Sequence, residues 1–358
     1  MRPELIVATK EFKDYLTSRR FLLIFGVLLL ISMAAIISGV SSYNSQLATY
    51  NEQKSMLSSM SSTAAARLLP QMPSMLLVFE SFSTTFITVG WLLAIAIGFD
   101  LISKEKETGS LKLLLARPTF RDSIVNGKIL GSASILVVSL AATFLVALAI
   151  LLFEGIVPSG DDLLRIAVFF VMLILFSIAF LAIAIAASAI AKNSTLSILL
   201  AIGFVVFSLL LPNFTSSICD IVLGEAPTMV IPATGSTTSQ QVVQQAVFRV
   251  GNETSRMQMQ INPEYTSYWN TRNQITEMVC LLSPTYDLQG ISSVVVSGQQ
   301  SPVSASGAGR FQFREMGMSS PSLGSTLPSI LPQAIALIVM AIAGFAIAYA
   351  KFIRMDVR

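Results

Sequence analysis

The chain has 358 residues, of which 53% are hydrophobic and 12% are charged, with a net charge of +3 at pH 7. Soluble domains carry about 25% charged residues, so this composition excludes an ordinary soluble protein and predicts an integral membrane protein. Histidine is absent, which removes the commonest general base and metal ligand. Two cysteines are too few for a zinc site of four thiolates. We therefore expect no catalytic residue, no metal site and no cofactor in this chain.

Six apolar runs are long enough to cross a membrane. A spanning helix needs about 20 mostly apolar residues, because the hydrocarbon core is about 30 Å thick and a helix rises about 1.5 Å per residue. The sequence therefore predicts an all-α integral membrane protein with six transmembrane helices, the fourth and fifth joined by a tight hairpin. The predicted spans are Phe21–Val40, Thr84–Ile102, Ile129–Phe153, Ile166–Ala191, Thr195–Leu211 and Ile330–Ala350.

Basic residues are concentrated on one side of these spans. Because lysine and arginine accumulate in cytoplasmic loops, the pattern predicts a cell-membrane protein with both termini in the cytoplasm. The pair Arg19-Arg20 before an apolar run also resembles a twin-arginine export signal, but five further spans and no evident cleavage site favour a membrane anchor. Fifteen of the 23 lysine and arginine residues fall on the predicted inner side: Arg2, Lys10, Lys13, Arg19, Arg20, Lys104, Lys106, Lys112, Arg117, Arg121, Lys128, Lys192, Lys351, Arg354 and Arg358.

The predicted organisation is a cytoplasmic amphipathic segment (1–20), five spans (21–211), a large outer insertion (212–329), the sixth span (330–350) and a cytoplasmic tail (351–358). In the first outer loop, a helix that extends the first span outward is expected. In the insertion, Asn262 as N-cap and Pro263 as the first helical residue predict a helix that ends before Ser283. Cys219 and Cys280 also lie in the insertion, where an oxidising compartment permits a disulfide. Two buried thiols are the alternative.

The second span carries small residues at a spacing of four, Gly90, Ala94 and Gly98, which predicts a close helix–helix contact. The more specific alternative is that these residues lie in a dimer interface or line a translocation path. No span has an ionisable residue near its midpoint. Ion-coupled secondary transporters usually need such groups as relays, so that class of transporter is disfavoured.

The inner loop at 103–128 is the most informative segment. Leu111, Leu114 and Leu115 share one helical face, and Arg117-Pro118 ends that helix before the next one begins. The residues alone predict a short amphipathic helix along the inner membrane surface. It would be a surface anchor, a docking element for a cytosolic partner, or simply a solvated charged loop.

This loop resembles the corresponding loop in the permease subunits of type-2, export-type ABC transporters. That family carries an acidic-x-acidic-x-Gly-Thr/Ser-Leu stretch, a leucine-rich turn, an Arg-Pro pair, an arginine, and Gly-Lys before the third span. The N-terminal segment is similar to the family's elbow helix. Ser283-Pro284-Thr285-Tyr286 and the basic tail resemble the subgroup that contains the permease of nitrous-oxide reductase maturation. The matching loop residues are Glu105, Glu107, Gly109, Ser110, Leu111, Leu114, Arg117, Pro118, Arg121, Gly127 and Lys128.

The resemblance implies that the loop is a coupling helix that sits in a cleft of a cytosolic ATP-binding subunit. It implies two copies of that subunit, which bind ATP and Mg, and a second permease copy or a sister permease. Membrane lipids and an extracytoplasmic accessory protein complete the expected partners, and nucleic acid is not among them. The implied function is ATP-driven export. The alternatives are a mechanical transmitter that acts on an outer partner and an ATP-independent membrane-anchored binding protein.

The sequence approaches the pattern of a phosphate-binding loop at one place, Gly127-Lys128, but does not complete it. A phosphate loop needs Gly-x-x-x-x-Gly-Lys followed by serine or threonine. Gly127-Lys128 has Asp122 in place of the first glycine and Ile129 in place of the hydroxyl residue. We therefore expect the ATPase to be another chain.

Overall fold

The computed structural model describes residues 3–58, 72–109, 121–224, 263–296 and 323–354, and the regular structure in these ranges is entirely helical. The helices are α1 (Pro3–Thr17), α2 (Arg19–Ser58), α3 (Leu77–Val89), α4 (Trp91–Gly98), α5 (Ser103–Glu107), α6 (Arg121–Phe153), α7 (Gly160–Ile190), α8 (Ser194–Leu223), α9 (Pro263–Cys280), α10 (Pro284–Val295) and α11 (Leu323–Ile353).

All six predicted spans are present as helices that are long and apolar enough to cross a membrane. They are α2, the stretch from α3 to α5, α6, α7, α8 and α11, and they range from 27 to 39 residues. The predicted hairpin between the fourth and fifth spans is confirmed, since α7 ends at Ile190 and α8 begins at Ser194. The chain is therefore a multi-pass membrane protein.

The helices run further than the apolar runs that predict them. The predicted helical extension of the first span is present, because α2 continues to Ser58. Helix α8 passes the predicted end at Leu211 and continues through Pro212 to Leu223. Proline is tolerated inside membrane helices because neighbouring groups satisfy the freed backbone carbonyl.

The second span is interrupted at Gly90. A β-carbon there would collide with the ring of Phe86, one turn earlier, so only glycine leaves room for that ring. Ala94 is fully buried. At Gly98 the near neighbour is another helix, since a β-carbon would lie 2.7 Å from Ala184 Cβ of α7. The close approach between helices is thus made at Gly98, whereas Gly90 accommodates a side chain of its own span.

Two compact units divide the described chain. The first comprises Met1–Pro212 and Cys280–Arg358, and its core contains fully buried phenylalanines from α3 and α7, including Phe82 and Phe176. Helix α11 packs against α7, with a β-carbon at Gly344 only 2.8 Å from the backbone of Ala182. Such close approaches through glycine and alanine are typical of membrane helix bundles.

The second unit is Asn213–Val279, in which the end of α8 meets α9. The predicted helix from Pro263 is confirmed as α9, while Asn262, its predicted N-cap, lies outside the described residues. Asp220 accepts a 2.6 Å hydrogen bond from the guanidinium of Arg272 within this unit. Cys219 is a buried thiol 3.5 Å from the hydroxyl of Thr276, and Cys280 is also a buried thiol. The two cysteines are thus thiols in the structure, which is the alternative to the disulfide.

Candidate functional site

Helix α5, the charged turn that ends the second span, is bonded directly to the hairpin between α7 and α8. The hydroxyl of Ser188 in α7 accepts hydrogen bonds from the backbone N–H groups of Ile102, at 3.0 Å, and Ser103, at 2.9 Å. These N–H groups belong to the first turn of α5 and have no partner within that helix. Ser188 therefore fixes the start of α5 to the end of the fourth span.

Lys106 caps the C-terminus of α7. Its ammonium donates hydrogen bonds to the carbonyl oxygens of Ala189, at 2.6 Å, and Ala191, at 3.0 Å, with Ser188 O at 3.4 Å. The last carbonyls of a helix have no partner within it and form the negative end of its dipole. A lysine at this position donates hydrogen bonds to these carbonyls and places a positive charge at the negative end of the dipole.

Glu107 lies at the other side of the hairpin. Its carboxylate accepts a 3.3 Å hydrogen bond from the backbone N–H of Ser194, the first residue of α8. A carboxylate is favoured there by the positive end of the helix dipole. Lys106 and Glu107 thus hold the end of one span and the start of the next.

Lys128 forms a buried ion triad with Glu11 and Glu105. Its Nζ lies 2.8 Å from Glu11 Oε1 of α1 and 2.8 Å from Glu105 Oε1 of α5. The side chains are 5% exposed for Lys128, 13% for Glu11 and 19% for Glu105. Charge-assisted hydrogen bonds of this length are the strong ones in proteins. The triad joins three elements that are far apart in sequence: α1, α5 and the start of α6.

Two glycines of α6 let α1 come close enough to form the triad. A β-carbon at Gly127 would lie 2.6 Å from Val7 Cβ, and one at Gly131 would lie 2.8 Å from Ala8 O. Both distances are shorter than real β-carbons tolerate. Glycines four residues apart form one face of a helix, so this face receives α1.

The far end of α1 is fixed to the second span. The hydroxyl of Tyr15 donates a 2.6 Å hydrogen bond to the carbonyl oxygen of Ile97. Burial, together with the carboxylates of Asp100 and Glu11, raises the pKa of Tyr15 well above its ordinary value, so the phenol stays neutral and keeps its proton to donate. On its other side α1 exposes Leu5 and Ile6.

Among the predicted coupling residues, Glu105 and Lys128 are bonded to each other, and Gly127 contacts α1. Glu105 pairs with Lys128 inside the protein, and its role in coupling to an ATP-binding subunit stays a prediction. Glu107 is exposed apart from its bond to Ser194. The remaining predictions fall outside the described residues: Ser110, Leu111, Leu114, Leu115, Arg117, Pro118 and the side chain of Arg121.

Gly109 ends α5 in a conformation that favours glycine. Its φ is +71°, the left-handed region that other residues adopt only with strain, and among the described residues a β-carbon there would meet no atom within 4 Å. A substitution at Gly109 would therefore strain the backbone. This residue is the last described one before the coupling segment, which is the part of the predicted coupling loop (103–128) at 110–118.

Three residues of this site, Glu11, Lys106 and Gly131, are not predicted from the sequence. A usable signal existed for Gly131, because Gly127-x-x-x-Gly131 is the small-residue spacing of a close helix contact. Nothing local marks Glu11 or Lys106, since their partners lie 117 and 83 residues away along the chain.

A family model described as "ABC-2 family transporter protein" matches residues 5–357, almost the whole chain. No curated protein matches the chain.

Proposed function

We propose that this chain, which belongs to the ABC-2 family of transporter proteins, is a permease subunit that couples ATP hydrolysis by a separate cytosolic ATP-binding subunit to export of a substrate. The observation that carries the proposal is the set of bonds made by α5. This one-turn helix immediately precedes the predicted coupling segment, and it is bonded to α7, α8 and, through Lys128, to α1 and α6.

The proposed mechanism follows from these bonds. The predicted coupling segment at 110–118 connects α5 to α6, so a partner that displaces the segment pulls on both helices. Because α5 holds the ends of α7 and α8, the displacement reaches the fourth and fifth spans as well as the third. Two ATP-binding subunits that close on ATP would move two such segments, one in each permease of a dimer or of a sister pair.

The orientation belongs to the same proposal. The ATP-binding subunit is cytosolic, so α5 and α1 must face the cytoplasm, and the outer insertion must face away from it. Cysteines placed at Ser110 or Lys192 should react with an impermeant reagent only from the cytoplasmic side, and cysteines at Ser58 or Ser306 only from outside. Labelling of position 306 from the cytoplasm would overturn the six-span orientation.

The coupling role is tested by the apolar face of the predicted segment. Truncating buried interface anchors commonly costs about 2 kcal/mol or more, which is about 30-fold in affinity. Leu111→Ala combined with Leu114→Ala should therefore weaken the binding of an ABC ATP-binding subunit about 30-fold. The measurement is copurification of that subunit with the tagged full-length chain. Glu107→Lys should act in the same direction. The matched control is Leu163→Ala with Leu164→Ala, two exposed leucines at the opposite end of the bundle.

The outcomes separate the candidate functions. Loss of the ATP-binding subunit in the coupling variants but not in the control supports the proposal. Unchanged association and unchanged substrate-stimulated ATP hydrolysis would mean that this segment is not the coupling element. Copurification of an outer protein, with ATP hydrolysis but no transport, would favour a mechanical transmitter. A closer relation to the nitrous-oxide reductase maturation permeases is supported only by Ser283–Tyr286 and the basic tail, and it is proposed on that ground.

A further inference from the structure

Helix α10 carries a carboxyl group that is completely buried. Asp287 is 0% exposed, and among the described residues neither of its oxygens has a hydrogen-bond partner. The helix itself is only 12 residues long and is not one of the six spans. It packs against α3, α7 and α11. Buried acidic side chains are normally paired or hydrogen-bonded, so this one requires an explanation.

An ionised Asp287 is incompatible with this position. A carboxylate without hydrogen-bond donors in an apolar site carries a desolvation cost that the group avoids by staying protonated. Burial accordingly raises the pKa of Asp287 from 3.8 to about 9, and no neighbouring charge contributes to the shift. The packed α10 therefore holds a neutral carboxylic acid at pH 7.

The charged groups on the surrounding helices lie elsewhere. Arg165 of α7 is buried, but its guanidinium donates a 3.4 Å hydrogen bond to Val295 O, at the far end of α10, and pairs with Asp161 at 3.7 Å. Glu80 of α3 is exposed. The other titratable side chains of the packed helices are Asp162 of α7, Tyr286 of α10 itself, and Tyr349 and Lys351 near the end of α11.

Both ends of α10 are held by bonds that can be remade in water. At its start, the hydroxyls of Ser208, Ser283 and Thr285 lie within 3.0 Å of one another, and Ser283 Oγ donates to Ser208 O at 2.7 Å. At its end, the Arg165–Val295 bond is long. These are neutral or weak contacts, so separating α10 from its neighbours breaks no ion pair of its own among the described residues.

We propose that α10 is a proton-linked element of the bundle. Asp287 binds one proton from water when α10 packs against α3, α7 and α11, and it releases that proton to water when α10 moves out. The site's ligand is the proton alone. The proposal does not rest on the coupling role of α5, because it concerns an equilibrium that exists in the chain without nucleotide.

The sign of the effect follows from linkage. The packed state binds the proton more tightly than the unpacked state, so the packing is most stable below pH 3.8 and is weakened as the pH rises towards about 9. Each pH unit in this window changes the packing equilibrium about tenfold. Between pH 6 and pH 8 the opening of α10 should therefore increase about 100-fold.

A buried cysteine on α10 measures this opening. Ser292 is 5% exposed, so Ser292→Cys is introduced into the full-length chain with Cys219→Ser and Cys280→Ser, in lipid nanodiscs. Its alkylation rate is divided by that of a cysteine at the exposed position Ser55, which removes most of the pH dependence of thiol chemistry. In this background the corrected rate should rise about 100-fold from pH 6 to pH 8. With Asp287→Asn, which cannot ionise, most of this slope should disappear.

The matched control is Glu80→Gln, which removes an exposed carboxyl from α3, a helix that also packs against α10. This variant should keep the full pH dependence. Equal slopes in the parent and in Asp287→Asn would overturn the proposal. So would loss of the slope in Glu80→Gln with its retention in Asp287→Asn.

A second measurement does not depend on the reporter or on the folding of the reporter variants. The C=O stretch of a protonated carboxylic acid is visible by infrared spectroscopy and shifts on isotopic exchange of its proton. We expect this band in the parent at pH 7 and its loss on titration towards pH 10. The absence of the band at pH 7 would show that Asp287 is ionised in the packed state and would end the proposal.

Discussion

Replacing Lys128 by methionine removes a buried cation from between two carboxylates. Methionine keeps most of the apolar stem of lysine, so the change isolates the charge rather than the packing. In the variant, Glu11 and Glu105 would face each other with no cation between them, although both approach Lys128 Nζ at 2.8 Å in the parent.

The size of the effect follows from burial. Breaking a buried ion pair by removing one partner costs about 3–5 kcal/mol, because the other charge is left unpaired. Glu11 and Glu105 are 13% and 19% exposed, so water reaches them in part. We therefore expect Lys128→Met to lower the free energy of unfolding by about 3 kcal/mol, at the lower end of that range. Glu105→Gln, which leaves the pair between Lys128 and Glu11, should cost about 1–2 kcal/mol.

The assay is a denaturing-detergent titration of the purified full-length chain, followed by tryptophan fluorescence. The control is Lys104→Met, the same substitution at an exposed lysine of α5, which should change stability by no more than about 0.5 kcal/mol. A triple variant, Glu11→Gln, Glu105→Gln and Lys128→Met, removes all three charges together. Since neutral replacements of buried ion networks are often tolerated, it should recover much of the loss.

Two results would refute this reasoning. A loss of less than about 1 kcal/mol in Lys128→Met would mean that the triad is solvated and contributes little, as surface ion pairs do. A triple variant as unstable as Lys128→Met would mean that the methionine disturbs packing and that the charges are not the cause.

Three further predictions concern the same helices and the cysteines. Lys106→Met should cost about 1–3 kcal/mol, because carbonyls at the end of α7 lose a charged donor, and hydrogen exchange in the last turn of α7 should increase. Gly127→Ala should cost about 1–3 kcal/mol by overpacking against α1, whereas Gly203→Ala, where a β-carbon meets no atom of the described residues within 4 Å, should be neutral or stabilising in the same titration. Cys219 and Cys280 should both be alkylated in the denatured chain without reductant, and a disulfide-linked peptide in a non-reducing mass map would contradict this.

The six spans could be predicted because the physical requirement for a span is local. About 20 apolar residues in a row are needed wherever the helix packs, and each predicted run met that condition. The helix ends could not be predicted in the same way. Helix α2 runs on through polar residues to Ser58, and α8 runs through Pro212, although a polar stretch and a proline are both signals that predict the end of a span.

Glu105, Gly127 and Lys128 could be identified from the sequence, but their contacts could not, and their coupling role stays a prediction. The order of residues from Glu105 to Lys128 identifies the segment, yet Gly127-Lys128 proves to be an internal contact that receives α1. Lys128 pairs with Glu11 because of how α1 packs, and a contact between residues that are 117 positions apart in the chain leaves no local pattern. Asp287 could not be predicted for a different reason. An acidic residue in the first turn of a helix commonly lies in water and interacts with the helix dipole, so the sequence does not indicate its complete burial.

The short length of α5 explains how it reaches so many neighbours. Successive residues of an α-helix point about 100° apart, since there are 3.6 residues per turn. Glu105, Lys106 and Glu107 therefore project in three directions, and each meets a different partner: Lys128, the end of α7 and the start of α8. A longer helix would repeat these directions along its axis and separate the contacts. Because the three bonds share one turn, we expect a displacement of Gly109 to act on all of them together. The proposed coupling should then depend on the intact turn more than on any single ion pair.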